Sequence, residues 1–196
     1  MNVSAVATPA QVLAFWFGGD DAVDRRWFNG GAAFDREIAE RFGATIDAAL
    51  RGELAGWAAT PDDALALIVV LDQFTRNVGR GTPRAFAGDV RALALALELI
   101  ERGDDRRLPP LRRWFAYLPL EHAEDLALQQ RCVQLFEDLL ADAGAHREAI
   151  AGALDYARRH RDVIARFGRF PHRNEILGRA TVADEHAFLQ QPGSRF

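Results

Sequence analysis

Threonine stands directly before proline three times in the first half of this chain, at Thr8-Pro9, Thr60-Pro61 and Thr82-Pro83. Each pair offers a hydroxyl to the unpaired N–H groups of a helix start. Each also offers a proline whose missing N–H costs nothing at the first helical position. Asp62 and Asp63 follow the second pair, where they suit the positive end of a helix dipole. Glycines at 18, 52, 103, 144 and 168 stand where helices would stop. Between these signals, apolar residues recur at spacings of three and four. Leu128, Cys132, Leu135, Phe136 and Leu139 form one such stripe, and strand-like alternation is nearly absent. The pattern predicts helices near 9–17, 33–50, 61–77, 83–102, 110–117, 120–141, 146–167, 172–178 and 182–190. The last opens Thr181-Val-Ala-Asp184, a start similar to a capping box. Short turns between successive helices imply antiparallel neighbours, in a bundle or a stack of hairpins. Ala64–Leu71 is apolar all round and so is expected at the centre; at eight residues it is far too short to span a bilayer. Gly103–Pro110 reads as an exposed loop.

No composition shift or internal repeat divides the chain, and its 196 residues suffice for one all-α domain, 1–196, with a substantial core. A formal net charge of -4 argues against non-specific binding to nucleic acid or to an anionic membrane. Residues 1–19 carry no charged side chain and Pro9 interrupts them, so a secretory leader is not expected. Cys132 is the only cysteine, so no intrachain disulfide can form and a reducing, cytoplasmic compartment is expected. All 24 basic residues are arginine, a pattern that coding bias explains. Lysine chemistry, including Schiff-base formation, is therefore excluded.

The segment His160–Asn174, HRDVIARFGRFPHRN, concentrates the chemistry. It holds His160, Arg161, Arg166, Arg169, His172, Arg173 and Asn174 against one acid, Asp162. A His-Arg pair followed by Asp or Asn occurs twice, twelve residues apart, around the anchors Ile164, Phe167, Gly168, Phe170 and Pro171. Guanidinium and imidazole groups in an apolar frame suit a carboxylate or phosphate. A second segment, Leu71–Asn77, places Asp72 and Arg76 four apart on one helical face. They can form a structural ion pair, or Asp72 can orient Arg76 toward a ligand. A third, Tyr117–Asp125, reads as the opening of a long helix. Its acids are ordinary dipole complements there, whereas His122 would feel a positive potential that keeps it neutral. His122 is then an acceptor, a general base or a metal ligand. His122, Glu124, His160 and His172 lack the tight spacing of a metal motif, so no metal is expected. No glycine-rich phosphate loop or other cofactor motif is present. Cys132 lies on an apolar stripe and Ser4 and Ser194 are terminal, which leaves no nucleophile candidate. Trp16, Trp27, Trp57 and Trp114 read as packing residues.

Over nearly its whole length the chain resembles the bacterial domain-of-unknown-function family 924. The resemblance rests on Val12-Leu-Ala-Phe-Trp-Phe-Gly18, Leu71–Asn77, Tyr117–Glu124 and above all Phe167-Gly-Arg-Phe-Pro-His-Arg-Asn174. Two positions depart from the family pattern: Thr75 stands where proline is preferred and Ala123 where serine is. Thr75 lets its helix run further; Ala123 removes a hydroxyl. The resemblance implies a helical fold similar to the tetratricopeptide-like superhelices, of stacked antiparallel hairpins, and implies no activity.

Three functions compete. In the leading one, the helices bind an anionic small molecule or a peptide acid through Asp72, Arg76, His122, Glu124, His160, Arg161, Arg169, His172, Arg173 and Asn174. In the second, a metal-independent enzyme uses His122 or His172 as acid–base, with Glu124 or Asp72 as orienter. In the third, these groups form a buried structural network. The three segments are expected to converge in space.

Overall fold

A computed structural model of the chain describes residues 5–18 and 22–194; among them every regular element is helical. α1 (Pro9–Phe17) starts at a full capping box. Thr8 Oγ1 accepts from the Gln11 N–H at 3.3 Å, and Gln11 Oε1 accepts from the Thr8 N–H at 2.8 Å. A single turn, α2 (Arg26–Asn29), leads into α3 (Gly31–Arg51). α3 stops at Gly52, whose φ of 83° only glycine adopts without strain. α4 (Pro61–Ile68) begins as expected, with Thr60 capping the Asp63 N–H at 3.2 Å.

α4 does not end at Ile68. It widens into a π turn, Val69–Phe74, and resumes as α5 (Thr75–Val78). The wide turn loosens the backbone ladder, and side chains of the following turn bond its carbonyls. Thr75 Oγ1 donates to the Leu71 carbonyl at 2.6 Å, and Arg76 donates to the Asp72 carbonyl at 2.6 Å. The whole run Ala64–Leu71 is buried, so α4 is central as its composition requires. It packs against α1, α6 and α7. Trp16, Trp27, Phe34, Phe74 and Phe115 join in one aromatic cluster; Trp16 meets Phe74 and Phe115 edge-on at 5.5 and 5.6 Å.

The third Thr-Pro pair behaves differently. The Thr82 hydroxyl donates to the Gly79 carbonyl at 2.7 Å, and Pro83–Phe86 is only a 3-10 turn. α6 (Asp89–Glu101) follows after Gly88. The predicted helix 83–102 is thus broken where the backbone passes Leu71: a Cβ on Gly88 would lie 2.0 Å from the Leu71 carbonyl oxygen. Gly103–Pro110 is not a simple exposed loop. It holds a 3-10 turn, Asp104–Arg107, whose buried Asp105 accepts from the Tyr117 hydroxyl at 2.5 Å.

α7 (Pro110–Glu121), α8 (Leu126–Ala141) and α9 (Arg147–Phe167) pack on one another in chain order. The boundary expected at Pro119 is absent, because α7 carries that proline in its last turns. The break comes at 122–125, where Asp125 caps α8 through the Leu128 N–H at 3.0 Å. Gln129 stitches the turn by donating to the carbonyls of Glu121 at 2.5 Å and Ala123 at 2.8 Å. α9 ends at Gly168 in the left-handed region, φ 68°. Beyond it the expected helix 172–178 is a 3-10 turn, Pro171–Arg173, followed by turns. α10 (Ala183–Leu189) closes the described chain; Glu185 reaches back to accept from the Val182 N–H at 2.9 Å. Among the described residues no helix is long and apolar enough to cross a membrane.

Candidate functional site

The π turn, the end of α7 and the strap after α9 meet around Asp72. Its carboxylate is fully buried. Oδ1 lies 2.8 Å from His122 Nδ1 and 3.1 Å from an Arg76 guanidinium nitrogen; Oδ2 accepts from Gln73 at 2.6 Å. Burial alone would raise this carboxyl, but the Arg76 cation and the His122 N–H hold it well below the usual range. Arg76 also forks onto Asp89 at 2.9 and 3.1 Å, so its two terminal nitrogens meet two carboxylates and a carbonyl.

His122 sits at the C-terminal end of α7, not at a helix N-terminus as its sequence context suggested. The helix dipole there favours the imidazolium. Its pKa is nevertheless lowered, first by burial and then by the cations Arg76 and Arg173. Asp72 accepts from Nδ1, which leaves Nε2 as the free nitrogen of the neutral ring. Nε2 makes no hydrogen bond among the described residues, and the side chain keeps 15% of its exposure.

Arg173 reaches the same point from the strap. It donates to the His122 carbonyl at 3.1 Å and lies 3.7 Å from Asp89. Its guanidinium is flanked by the rings of Phe170 at 4.4 Å and Phe86 at 4.9 Å. It is only 6% exposed, and its Nε has no partner. Burial, with Arg76 nearby, pushes its pKa down to about 10.

Behind His122, Glu121 and His160 face each other, Oε1 to Nδ1, at 3.3 Å. His160 Nδ1 also lies 2.9 Å from the Tyr156 carbonyl, which fixes the proton on that nitrogen. Burial, and then His122, push His160 down to about 3. Burial, with the Asp72 carboxylate nearby, pushes Glu121 up to about 8, so it is a neutral acid at pH 7. The other Glu121 oxygen, Oε2, is buried without a partner.

The remaining expected residues divide. Glu124 accepts from the Phe170 N–H at 2.8 Å and from Arg179 at 2.6 and 2.9 Å. It is therefore engaged in holding the strap rather than in orienting a histidine. Arg169 pairs with Glu185 at 2.7 and 2.9 Å, and Asn174 donates to Glu185 at 3.0 Å. These two fasten α10 instead of joining the Asp72 cluster. Arg161 turns outward to Asp162 at 2.7 Å. The His172 ring tilts against Phe170 at 5.7 Å. Asp89 and Phe86, which carry no signal in the sequence pattern, and Glu121, which reads there as a dipole complement, belong to the cluster. Only Gly88 before Asp89 gave a hint, since a glycine there marks a close backbone approach. Among the described residues no group of three or more His, Cys, Asp or Glu side chains is arranged to hold a metal ion.

The features define an all-helical protein in which a π turn, a helix end and a strap assemble a buried aspartate–histidine–arginine cluster. The chain belongs to the family described as a bacterial protein of unknown function, DUF924, whose model matches residues 12–193. It is similar to a solved structure of a protein of unknown function from Agrobacterium tumefaciens, with 41% identity and a TM-score of 0.79. The match covers 93% of this chain and 96% of that one. No curated protein matches the chain.

Proposed function

We propose that the chain binds a small molecule bearing a carboxylate or phosphate between His122 and Arg173. The observation that carries this reading is the incomplete pairing of Arg173. Arg76 meets two carboxylates within 3.1 Å, whereas Arg173 is more deeply buried and has one carbonyl, a carboxylate at 3.7 Å and an unpaired Nε. A buried guanidinium short of acceptors is costly. An incoming anion supplies them, and the Phe86 and Phe170 rings hold the fork in place for it. His122 Nε2 adds a hydrogen-bond acceptor, or a donor once the ring is protonated. Arg169, Arg161, Glu124 and Asn174 are committed elsewhere and are not part of this smaller site.

One observation favours a second reading, acid–base catalysis on the bound anion. Asp72 fixes the His122 tautomer with Nε2 outward, the arrangement a general base needs. The consecutive packing of α7, α8 and α9 supports the stacked-hairpin, tetratricopeptide-like arrangement, and the single buried thiol of Cys132 supports a cytoplasmic setting.

The test is a thermal-shift and calorimetric screen of phosphorylated and carboxylated metabolites on the native protein, Arg173→Ala and His122→Asn. A charge-assisted hydrogen bond contributes about 1.5–3 kcal/mol, so removing Arg173 should weaken a genuine ligand roughly tenfold to a hundredfold. Equal binding in native and Arg173→Ala proteins, or no ligand across the panel, overturns the reading and leaves the cluster as a structural network.

A further inference from the structure

A second feature is lined by none of Asp72, Arg76, His122 and Arg173. Between the end of α3, α4 and α6 is a cavity of about 350 Å³. Its floor is apolar: Ala49, Leu67 and Leu71 are buried there, with Leu54 and Leu95 on the walls. That volume falls within the range of small-molecule sites. Arg91 stands at the rim. Its Nη1 donates to the Ala49 carbonyl at 2.9 Å, and no other donor of its fork is engaged. Among the described residues, no carboxylate lies within ion-pair distance of it. The guanidinium lies flat against Gly52, where a Cβ would come within 2.7 Å of Nη1. Glycine at that position thus leaves the space in which the fork is held over the cavity mouth.

α6 sets the polarity of the groove. Arg91, Leu95 and Glu98 follow at spacings of four and three and so share one face. Glu98 stands seven residues from Arg91, about 10 Å along the axis, and pairs with Arg102 at 3.3 Å. The groove therefore offers a cation at one end, leucines along its length and an anion at the other end.

We propose that this groove binds a monocarboxylate with an apolar tail. The carboxylate sits on the free donors of Arg91, and the tail lies over Leu67, Leu71 and Leu95 toward Glu98. A role limited to capping the α3 carbonyls explains the Ala49 contact but not the cavity beneath it. The Glu98 end disfavours a second carboxylate, which sets the specificity.

Calorimetric titration with octanoate tests this, with acetate, octanol and octanedioate as comparison ligands. Octanoate should bind at least tenfold more tightly than each of the other three. Arg91→Gln should lose at least tenfold of that affinity, and Leu95→Asp should lose it as well while leaving Arg91 in place. His122→Asn should keep the full affinity, which separates this groove from the site proposed above. Circular dichroism of each variant checks the fold, and Leu95→Asp, at a partly exposed wall position, provides a reading should Arg91→Gln misfold. The proposal fails if octanoate does not bind, if octanol or octanedioate binds equally well, or if affinity survives in Leu95→Asp or folded Arg91→Gln. It fails equally if affinity disappears in His122→Asn.

Discussion

Glu121 should give the protein a pH dependence that no exposed carboxylate would. Its carboxyl is buried against Asp72, and its pKa rises from the ordinary 4.5 to about 8. The sign follows from proton counting. Between pH 6.5 and 8 the unfolded chain carries Glu121 ionised, while the folded chain keeps it protonated. The folded state binds the extra proton, so stability is full below pH 4.5 and falls as pH rises through 8. His122 and His160 are depressed only in the folded state; in the unfolded chain they titrate near 6.5, so their opposing slope fades by about pH 7.5 and is shared by any Glu121 variant. The slope approaches about 1.4 kcal/mol per pH unit and halves at the folded pKa, so Glu121 loses about 1.6 kcal/mol from pH 6.5 to 8. Below 6.5 the histidines act oppositely: the unfolded chain takes up their protons, the folded one resists, and stability is lost as pH falls toward 3. Between pH 4.5 and 6.5 the two trends offset. Urea denaturation of the native protein and Glu121→Gln at half-unit steps from pH 4 to 9 measures both limbs. Glutamine cannot ionise, so the variant should be flat above about pH 7.5 and show the acid limb below it, and the difference between the two proteins isolates Glu121. Its absolute stability also changes, since a buried amide replaces the acid, but that offset does not vary with pH. A slope in Glu121→Gln above about pH 7.5 equal to that of the native protein would refute the assignment of a buried neutral acid.

Two further outcomes follow from packing. Phe170 is fully buried against His160, His172 and Arg173, so Phe170→Ala should cost about 3–5 kcal/mol in a denaturant melt. Phe167 is only partly buried, and its replacement should cost clearly less; equal costs would show that the strap packs differently. Gly88→Ala should destabilise by about 1–3 kcal/mol or more, because its Cβ would overlap the Leu71 carbonyl. A neutral Gly88→Ala in the same melt would mean that α6 can move off the π turn freely.

Most of the helices were legible because their signals are local. Thr8 and Thr60 cap within three residues, and Gly52 and Gly168 stop α3 and α9 with a positive φ. The misreading at 117–125 also had a local cause. Pro119 followed by Glu121 and Glu124 imitates a helix start, yet Asp125 is the residue that caps α8. Placing His122 on the wrong helix end reversed the sign of its dipole environment. In an apparent first turn Glu121 reads as a dipole complement, yet it is a buried acid at the last position of α7. The repeated His-Arg pair shows another limit. Adjacent residues on a helix point about 100° apart, so on α9 His160 faces inward and Arg161 outward. After the strap has left the helix, Arg173 is free to turn inward. Two copies of one dipeptide therefore end in different places because only one of them lies in a helix.

The π turn was invisible in the sequence, since one extra residue within a run that is apolar all round disturbs no periodicity. Its consequences are nonetheless written in the residues around it. A widened buried turn needs donors for the carbonyls it loosens. The hydroxyl of Thr75 and the guanidinium of Arg76 supply them to Leu71 and Asp72. A proline at position 75 would have no hydroxyl with which to do this. Once Arg76 is bent back onto the Asp72 carbonyl, its fork lies where it meets Asp89 at the start of α6. Gly88 lets α6 come close enough for that pair to form. Arg76 thereby takes up both Asp72 and Asp89, and the second guanidinium, Arg173, is left short of acceptors. The incomplete pairing of Arg173, on which the proposed anion site rests, thus traces back to the geometry of a single widened helical turn.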